Sequence, residues 1–305
     1  MLRIAFIIGL LVSLTACDSG GPPRNRVLRV AVPGQPSVLD SNKAYDAIAG
    51  FMLMQMNEGL TFHNAELIPQ PGLAESWEFN EAFTEVTFTL RPDLKWSDGQ
   101  PLVAGDFEYS WERLLNPDTA AEYAYFMYDV QGAEEYNSGK GKLEDVGIST
   151  LDDRRIHVKL RRPAPFFPHI TTFMVTYPVR KDLVDKFGES WTEPGNVAVT
   201  GPFVPVQHQH EYRMTLKPNP HWALGKQRVD QLELYMTAEK STALNLFVTG
   251  HMDIVLDMLP LAIPAYRDNV DYYNGPKLEV RYIGIRNDHA PLNDVRVRKA
   301  LEQVD

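Results

Sequence analysis

One cysteine, Cys17, stands among 305 residues, so no disulfide within the chain can brace the fold and no second thiol is available for a redox pair. Basic residues are also short. Thirty Lys+Arg face 40 Asp+Glu, a formal net charge of −10, and a nucleic-acid binder that neutralises phosphates needs the opposite balance. The most apolar stretch, Ile4 to Leu14, has 11 residues, well under the ~20 that span a bilayer. No Gly-x-Ser-x-Gly elbow occurs, and Gly139-Lys140-Gly141-Lys142 lacks the glycine spacing and terminal Ser/Thr of a phosphate loop. Internal repeats, low-complexity tracts and coiled-coil heptads are missing as well. What remains is an ordinary apolar fraction, 44%, in a length that suits about two domains at roughly 150 residues each.

The N-terminus reads as a secretory leader over residues 1–16, with Arg3 as its basic region and Ile4 to Leu14 as its apolar core. It ends in Leu14-Thr15-Ala16-Cys17, which resembles the lipobox of bacterial lipoproteins. Lipidation of Cys17 is therefore expected, with residues 17–26 as the lipidated end and linker. That places a globular body outside the cytoplasm, in the periplasm or on the cell exterior, tethered to a membrane.

Beyond the leader, Val27 to Val32 alternates as a strand and Pro33-Gly34-Gln35-Pro36 breaks it. Ala44 to Leu60 predicts a helix, with Ala47, Phe51, Met54 and Glu58 at helical spacing. Strands follow at 74–79 and 86–91, then a tight turn at Trp96-Ser97-Asp98-Gly99-Gln100-Pro101. The stretch 151–161 reads as one strand, and 212–216 and 231–235 as two more. A helix over 241–249 should put Leu244, Phe247 and Val248 on one face, with Gly250 as a left-handed cap. Strands and helices mixed without strict alternation predict a mixed α/β architecture.

Candidate chemistry is sparse. His208 and His210 share a face of an alternating strand, but two ligands without a third nearby make an incomplete metal site, and the pair reads as a hairpin tip with no metal assigned. His210-Glu211 opens like a zinc-protease motif, yet Met214 stands where the second His should be. No catalytic carboxylate pair stands out, so the chain reads as a non-enzyme without a cofactor. In the helix from Asp106 to Leu115, Phe107, Trp111, Leu114 and Leu115 form the buried stripe, and Tyr109 lies nearly opposite. That leaves Tyr109 exposed, packed on another element, or facing a ligand.

These segments resemble a known family. Ala74-Glu75-Ser76-Trp77, the run Thr87 to Leu102 and Asp106-Phe107-Glu108-Tyr109-Ser110-Trp111 are similar to the signature of family 5 extracellular solute-binding proteins, the oligopeptide and dipeptide receptors of ABC importers. The likeness continues through Phe187 to Asn196, Thr200-Gly201-Pro202-Phe203, Asn219-Pro220-His221-Trp222, Gly250 to Ile254 and Asn293 to Leu301. The stretch around Trp191 favours the oligopeptide branch. One departure is Val103, where the family commonly has a capping Thr before the helix; Asp106 in the first turn should partly compensate through the helix dipole.

The resemblance implies a periplasmic-binding-protein type II-like fold, two-lobed in complete members. It places domain I at 27–60 and 180–280, domain II at 61–179, and a crossover strand with the start of domain III at 281–305. It also implies a monomer that clamps peptide between lobes, oligopeptide in preference to dipeptide, and passes it to permease subunits. Ser37, Val38 and Leu39 would line the cleft with backbone, Tyr109 and Tyr282 with aromatic rings, and Asn287 from the crossover. Complete members continue beyond Asp305, so the chain is expected to be a truncated form lacking most of domain III. A non-transport sensor or adaptor lipoprotein, or an inactive fragment of a split gene, is the alternative expectation.

Overall fold

The computed structural model describes residues 26–275 and 283–302. The leader, Cys17 and Tyr282 lie outside the described residues.

Val27–Val32 forms β1, whose second half, Val30 to Val32, is buried. Side chains apolar on both faces suit a central strand, and β1 is one. It pairs in parallel with β10 (Gln231–Met236) on one side and β11 (Ile254–Val255) on the other. The antiparallel hairpin β8 (Phe203–Gln209) and β9 (Arg213–Pro218) extends the sheet beyond β10, giving the order β11-β1-β10-β9-β8. Parallel neighbours need a crossover. Between β10 and β11 that crossover is α6 (Lys240–Val248), which packs Ala243 against Ala31 and Met252.

Between β1 and β8 the chain makes a long excursion. Helix α1 (Ala47–Met56) leads to the ribbon β2 (Thr61–His63) and β3 (Pro69–Pro71). A second, antiparallel sheet then forms in the order β4-β5-β7-β6, from β4 (Ala74–Phe79), β5 (Glu85–Leu90), β6 (Ile148–Asp152) and β7 (Arg155–Lys159). Helix α2 (Ala104–Leu115) covers it, burying Phe107, Trp111, Leu114 and Leu115 as their spacing requires. Short helices α3 (Ala133–Asn137) and α4 (Phe167–Ile170) and the two-turn α5 (Lys181–Phe187) complete this half. One continuous core joins side chains of both sheets. No helix among the described residues is long and apolar enough to cross a membrane.

Four local expectations are revised. Helix α1 is shorter than 44–60, because Asp46 caps it by accepting from the Ile48 and Ala49 N–H groups at 2.9 Å each. Its buried stripe is Ala49, Met52, Leu53 and Met56, while Met54 is 51% exposed; an almost wholly apolar helix gives no pattern from which to choose a face. The stretch 151–161 is two strands, because Asp152 Oδ1 accepts the Arg154 N–H at 2.9 Å and turns the chain without Gly or Pro. On α6 the inward residues are Ala243, Leu246 and Phe247, with Val248 exposed. Gly250 has φ +74°, as a left-handed cap demands.

Only the reciprocal half of the cap is made at Val103, which has no side chain to accept the first-turn N–H groups. The Asp106 carboxylate accepts the Val103 N–H at 3.0 Å and the Trp96 indole N–H at 3.2 Å, so it works by direct contact rather than through the helix dipole alone.

Candidate functional site

Leaving β1, the chain is broken by Pro33 and Pro36 and runs irregularly to Asp40. Ser37 is fastened first. Its N–H donates to Asp46 Oδ2 at 3.0 Å, and its hydroxyl donates to the same oxygen. Burial would raise the Asp46 carboxyl, but the Ser37 hydroxyl and the N–H groups of Ala49, Ser37 and Ile48 outweigh it and hold it below its ordinary value. Val38 and Leu39 follow, their side chains packed on the core. Among the described residues, the main-chain N–H and C=O groups of Val38 and Leu39 find no hydrogen-bond partner. A fixed stretch with free backbone groups can pair with an extended ligand chain.

What fixes its far end is a buried carboxylate. Asp40, 4% exposed, takes two bonds from the Arg113 guanidinium, at 2.8 and 2.5 Å. It also accepts the Trp191 indole N–H at 3.2 Å and the Asn42 N–H at 3.1 Å. Arg113 bonds Asn42 Oδ1 as well, at 2.8 Å, and Asn42 donates to the Val175 carbonyl at 3.0 Å. The knot joins the β1 exit, α2 and the turn at Gly188–Thr192. Such a charge pair is tolerated inside because the carboxylate accepts four hydrogen bonds and the guanidinium donates three. No sequence spacing announces it, since the partners of Asp40 lie 73 and 151 residues away.

Tyr109 sits one turn before Arg113 on α2, so the two share a helix face. It is half-buried, and the Lys181 ammonium at the start of α5 lies 5.7 Å from its ring centroid. Of the three readings open to it, packing on another element is thus realised in part. Burial raises its hydroxyl pKa, against the pull of Arg113, with the Asp40 charge also within reach. Tyr109 and residues 37–39 are therefore tied to one ion pair, Tyr109 through the face of α2 it shares with Arg113 and residues 37–39 through the chain leading into Asp40. Asn287 is exposed in irregular chain ahead of α8 (Val295–Glu302), past the short α7 (Ile263–Tyr266). No hydrogen bond among the described residues connects it with that cluster.

Sequence reasoning passed over two further groups. Glu58 follows α1, its N–H donating to the Thr200 hydroxyl at 2.9 Å and its carboxyl facing the Trp222 indole N–H at 3.4 Å. Burial pushes it up to about 7, against the lowering effects of Trp222 and Arg91. The other is Glu193. The expectation that His208 and His210 lack a third donor fails, because the loop after Trp191 brings the Glu193 carboxylate within 4.8 Å of a ring nitrogen on each.

The profile described as bacterial extracellular solute-binding proteins, family 5 Middle, matches residues 69–304. The oligopeptide-binding protein OppA of Bacillus subtilis is 31% identical over 304 residues, 94% of this chain and 56% of its own. The periplasmic oligopeptide-binding protein OppA of Escherichia coli is 34% identical over 270 residues, 87% of this chain and 50% of its own. A solved structure of OppA from Burkholderia pseudomallei superposes with a TM-score of 0.84 at 30% identity, covering 91% of this chain and 55% of that one. The chain spans about half the length of the curated relatives it matches.

Proposed function

The chain belongs to family 5 of the bacterial extracellular solute-binding proteins, and from that membership we propose that it captures peptides, oligopeptides above all, for an ABC importer. The family binds solutes and is not an enzyme family. The observation that carries the reading is the pair of backbone residues Val38 and Leu39, without hydrogen-bond partners among the described residues and clamped between the Ser37–Asp46 and Asp40–Arg113 contacts. A peptide laid along this segment pairs main chain to main chain, as an added strand does, which holds varied sequences without reading their side chains. Tyr109 offers a ring with a polar tip beside the ion pair, a surface on which a side chain or peptide plane can rest. Bridging waters fill the remaining space at modest cost.

In this reading, residues 27–60 with 180–280 and residues 61–179 form one lobe, and chain equivalent to the remaining half of the relatives supplies the other. Tyr282 and Asn287 would enter the cleft from the segment joining them. Closure is a hinge motion, driven only by the ligand's stronger hold on the closed state. Lipid on Cys17 keeps the monomeric body at the membrane, where a permease receives the peptide.

Native mass spectrometry of the protein joined to its second lobe, after incubation with a mixed peptide library, tests this. Peptides of several sequences should be retained, and Tyr109→Ala should weaken a chosen peptide by about tenfold, the equivalent of 1.4 kcal/mol. A single non-peptide adduct on every molecule would overturn the assignment.

A further inference from the structure

His208 lies near the end of β8, half-buried, opposite Met214 on β9. Its Nε2 is sealed from solvent and has no hydrogen-bond partner among the described residues. An unpaired buried nitrogen costs free energy, so its placement calls for something that pairs with it. Two residues on, His210 stands at the exposed hairpin tip, where Glu211 takes the left-handed conformation at φ +63° and swings the chain round. The two imidazole centroids are 3.9 Å apart. Glu193 completes the group from the other side, its Oε1 3.3 Å from His210 Nε2. Its backbone carbonyl accepts the Asn196 and Val197 N–H groups at 2.9 and 3.2 Å, which fixes the loop that presents it.

Two imidazoles and one carboxylate, with ligand atoms within 4.8 Å of one another, form the donor set of a four-coordinate site that leaves one position for water. Atoms at that spacing would have to draw in towards a common ion to reach the ~2.0–2.2 Å expected for Zn–N and Zn–O bonds. Arg213 is the nearby cation on the hairpin, but it pairs across the strands with Gln209 and reaches Glu233 and Tyr235 on the opposite face from His208.

We propose that Glu193, His208 and His210 form a binding site for a borderline first-row divalent cation, Zn²⁺ being the probe of choice. No hydrogen bond among the described residues joins its three side chains to Val38, Leu39 or Tyr109. Its effect would be to bolt the β8–β9 hairpin to the loop whose Trp191, two residues before Glu193, holds Asp40. A cation here would therefore stiffen the knot behind the free backbone segment.

The test is titration of the metal-stripped full chain with Zn²⁺ against a chromophoric chelator, with Co²⁺ loading as a second readout. One ion per chain is expected, with visible bands of four-coordinate cobalt. Glu193→Gln, His208→Ala and His210→Ala should each weaken Zn²⁺ by at least about 10-fold, the lower bound seen even for groups one shell further out. His210 is exposed, so its variant carries little risk to folding and remains informative should His208→Ala fail to fold. His251→Ala, at an exposed imidazole elsewhere, should bind as the parent does. Absence of stoichiometric binding, or binding unchanged in His210→Ala but lost in Cys17→Ser, would overturn the proposal.

Discussion

Trp111 and Leu261 are both large and apolar, yet Trp111 is 0% exposed and Leu261 95%. They stand for two regions. From Val27 to Val255, two sheets and α2 press apolar faces on one another, and Trp96, Trp111, Phe88 and Phe107 are the largest of the side chains sealed between them. From residue 256 onwards, Leu261, Val270, Tyr273 and Ile283 stand in solvent, and the helices of this stretch among the described residues are the four-residue α7 and α8, whose Val295 and Leu301 are each about half exposed. The second region does not lack hydrophobic residues; among the described residues it lacks an opposing face. Burial follows from the presence of a partner layer, not from composition.

The contrast can be broken hardest at the ion-pair knot. Arg113→Met leaves Asp40 buried without its cation and should cost about 3–5 kcal/mol in urea unfolding, with Asp40→Asn added to it recovering part of the loss. No recovery in the double variant would mean that packing, not charge, holds the knot.

Glu58 comes next. A carboxyl whose pKa is higher in the folded protein stabilises while protonated, so its contribution is complete below its unfolded value near 4.5 and is lost as pH rises to about 7. The difference, at 1.36 kcal/mol per pH unit, amounts to about 3 kcal/mol. Glu58→Gln should therefore raise stability by up to about 3 kcal/mol at pH 8 and change little at pH 4. Equal effects at the two pH values would show that the carboxyl is not buried as described.

At the start of α2, Val103→Ser supplies the side-chain acceptor that valine lacks and should stabilise by about 1 kcal/mol, measured as a shift in denaturation midpoint at unchanged slope. The smallest effect belongs to the other region. Leu261→Ser should alter stability by less than about 0.5 kcal/mol, as at any exposed site. A loss of core-like size there would erase the distinction between the two regions.

Legibility in the sequence follows the same divide between local and distant causes. The α2 stripe, the strand at 74–79 and the Gly250 cap were readable because each is written in neighbouring residues. The face of α1 was not, since its residues are apolar almost all round and only the surrounding sheets choose among them. The turn that splits 148–159 escaped because an aspartate side chain makes it, without Gly or Pro. At the candidate site, Tyr109 was singled out by its place off the stripe, whereas Asp40 drew notice only as part of a segment. Its partners, and Glu193 as the third neighbour of two histidines, are assembled by the fold across long stretches of chain.

The position of β1 between β10 and β11 sets an order of events for a chain made from its N-terminus. The antiparallel sheet spanning Ala74 to Lys159 has all its strands once Lys159 has emerged. Strand β1 emerges first and must wait, unpaired on both edges, until Gln231 to Val255 arrive. Loop closure over that distance makes the larger sheet the slow step, and an apolar strand left open so long is where a holding chaperone would find its grip.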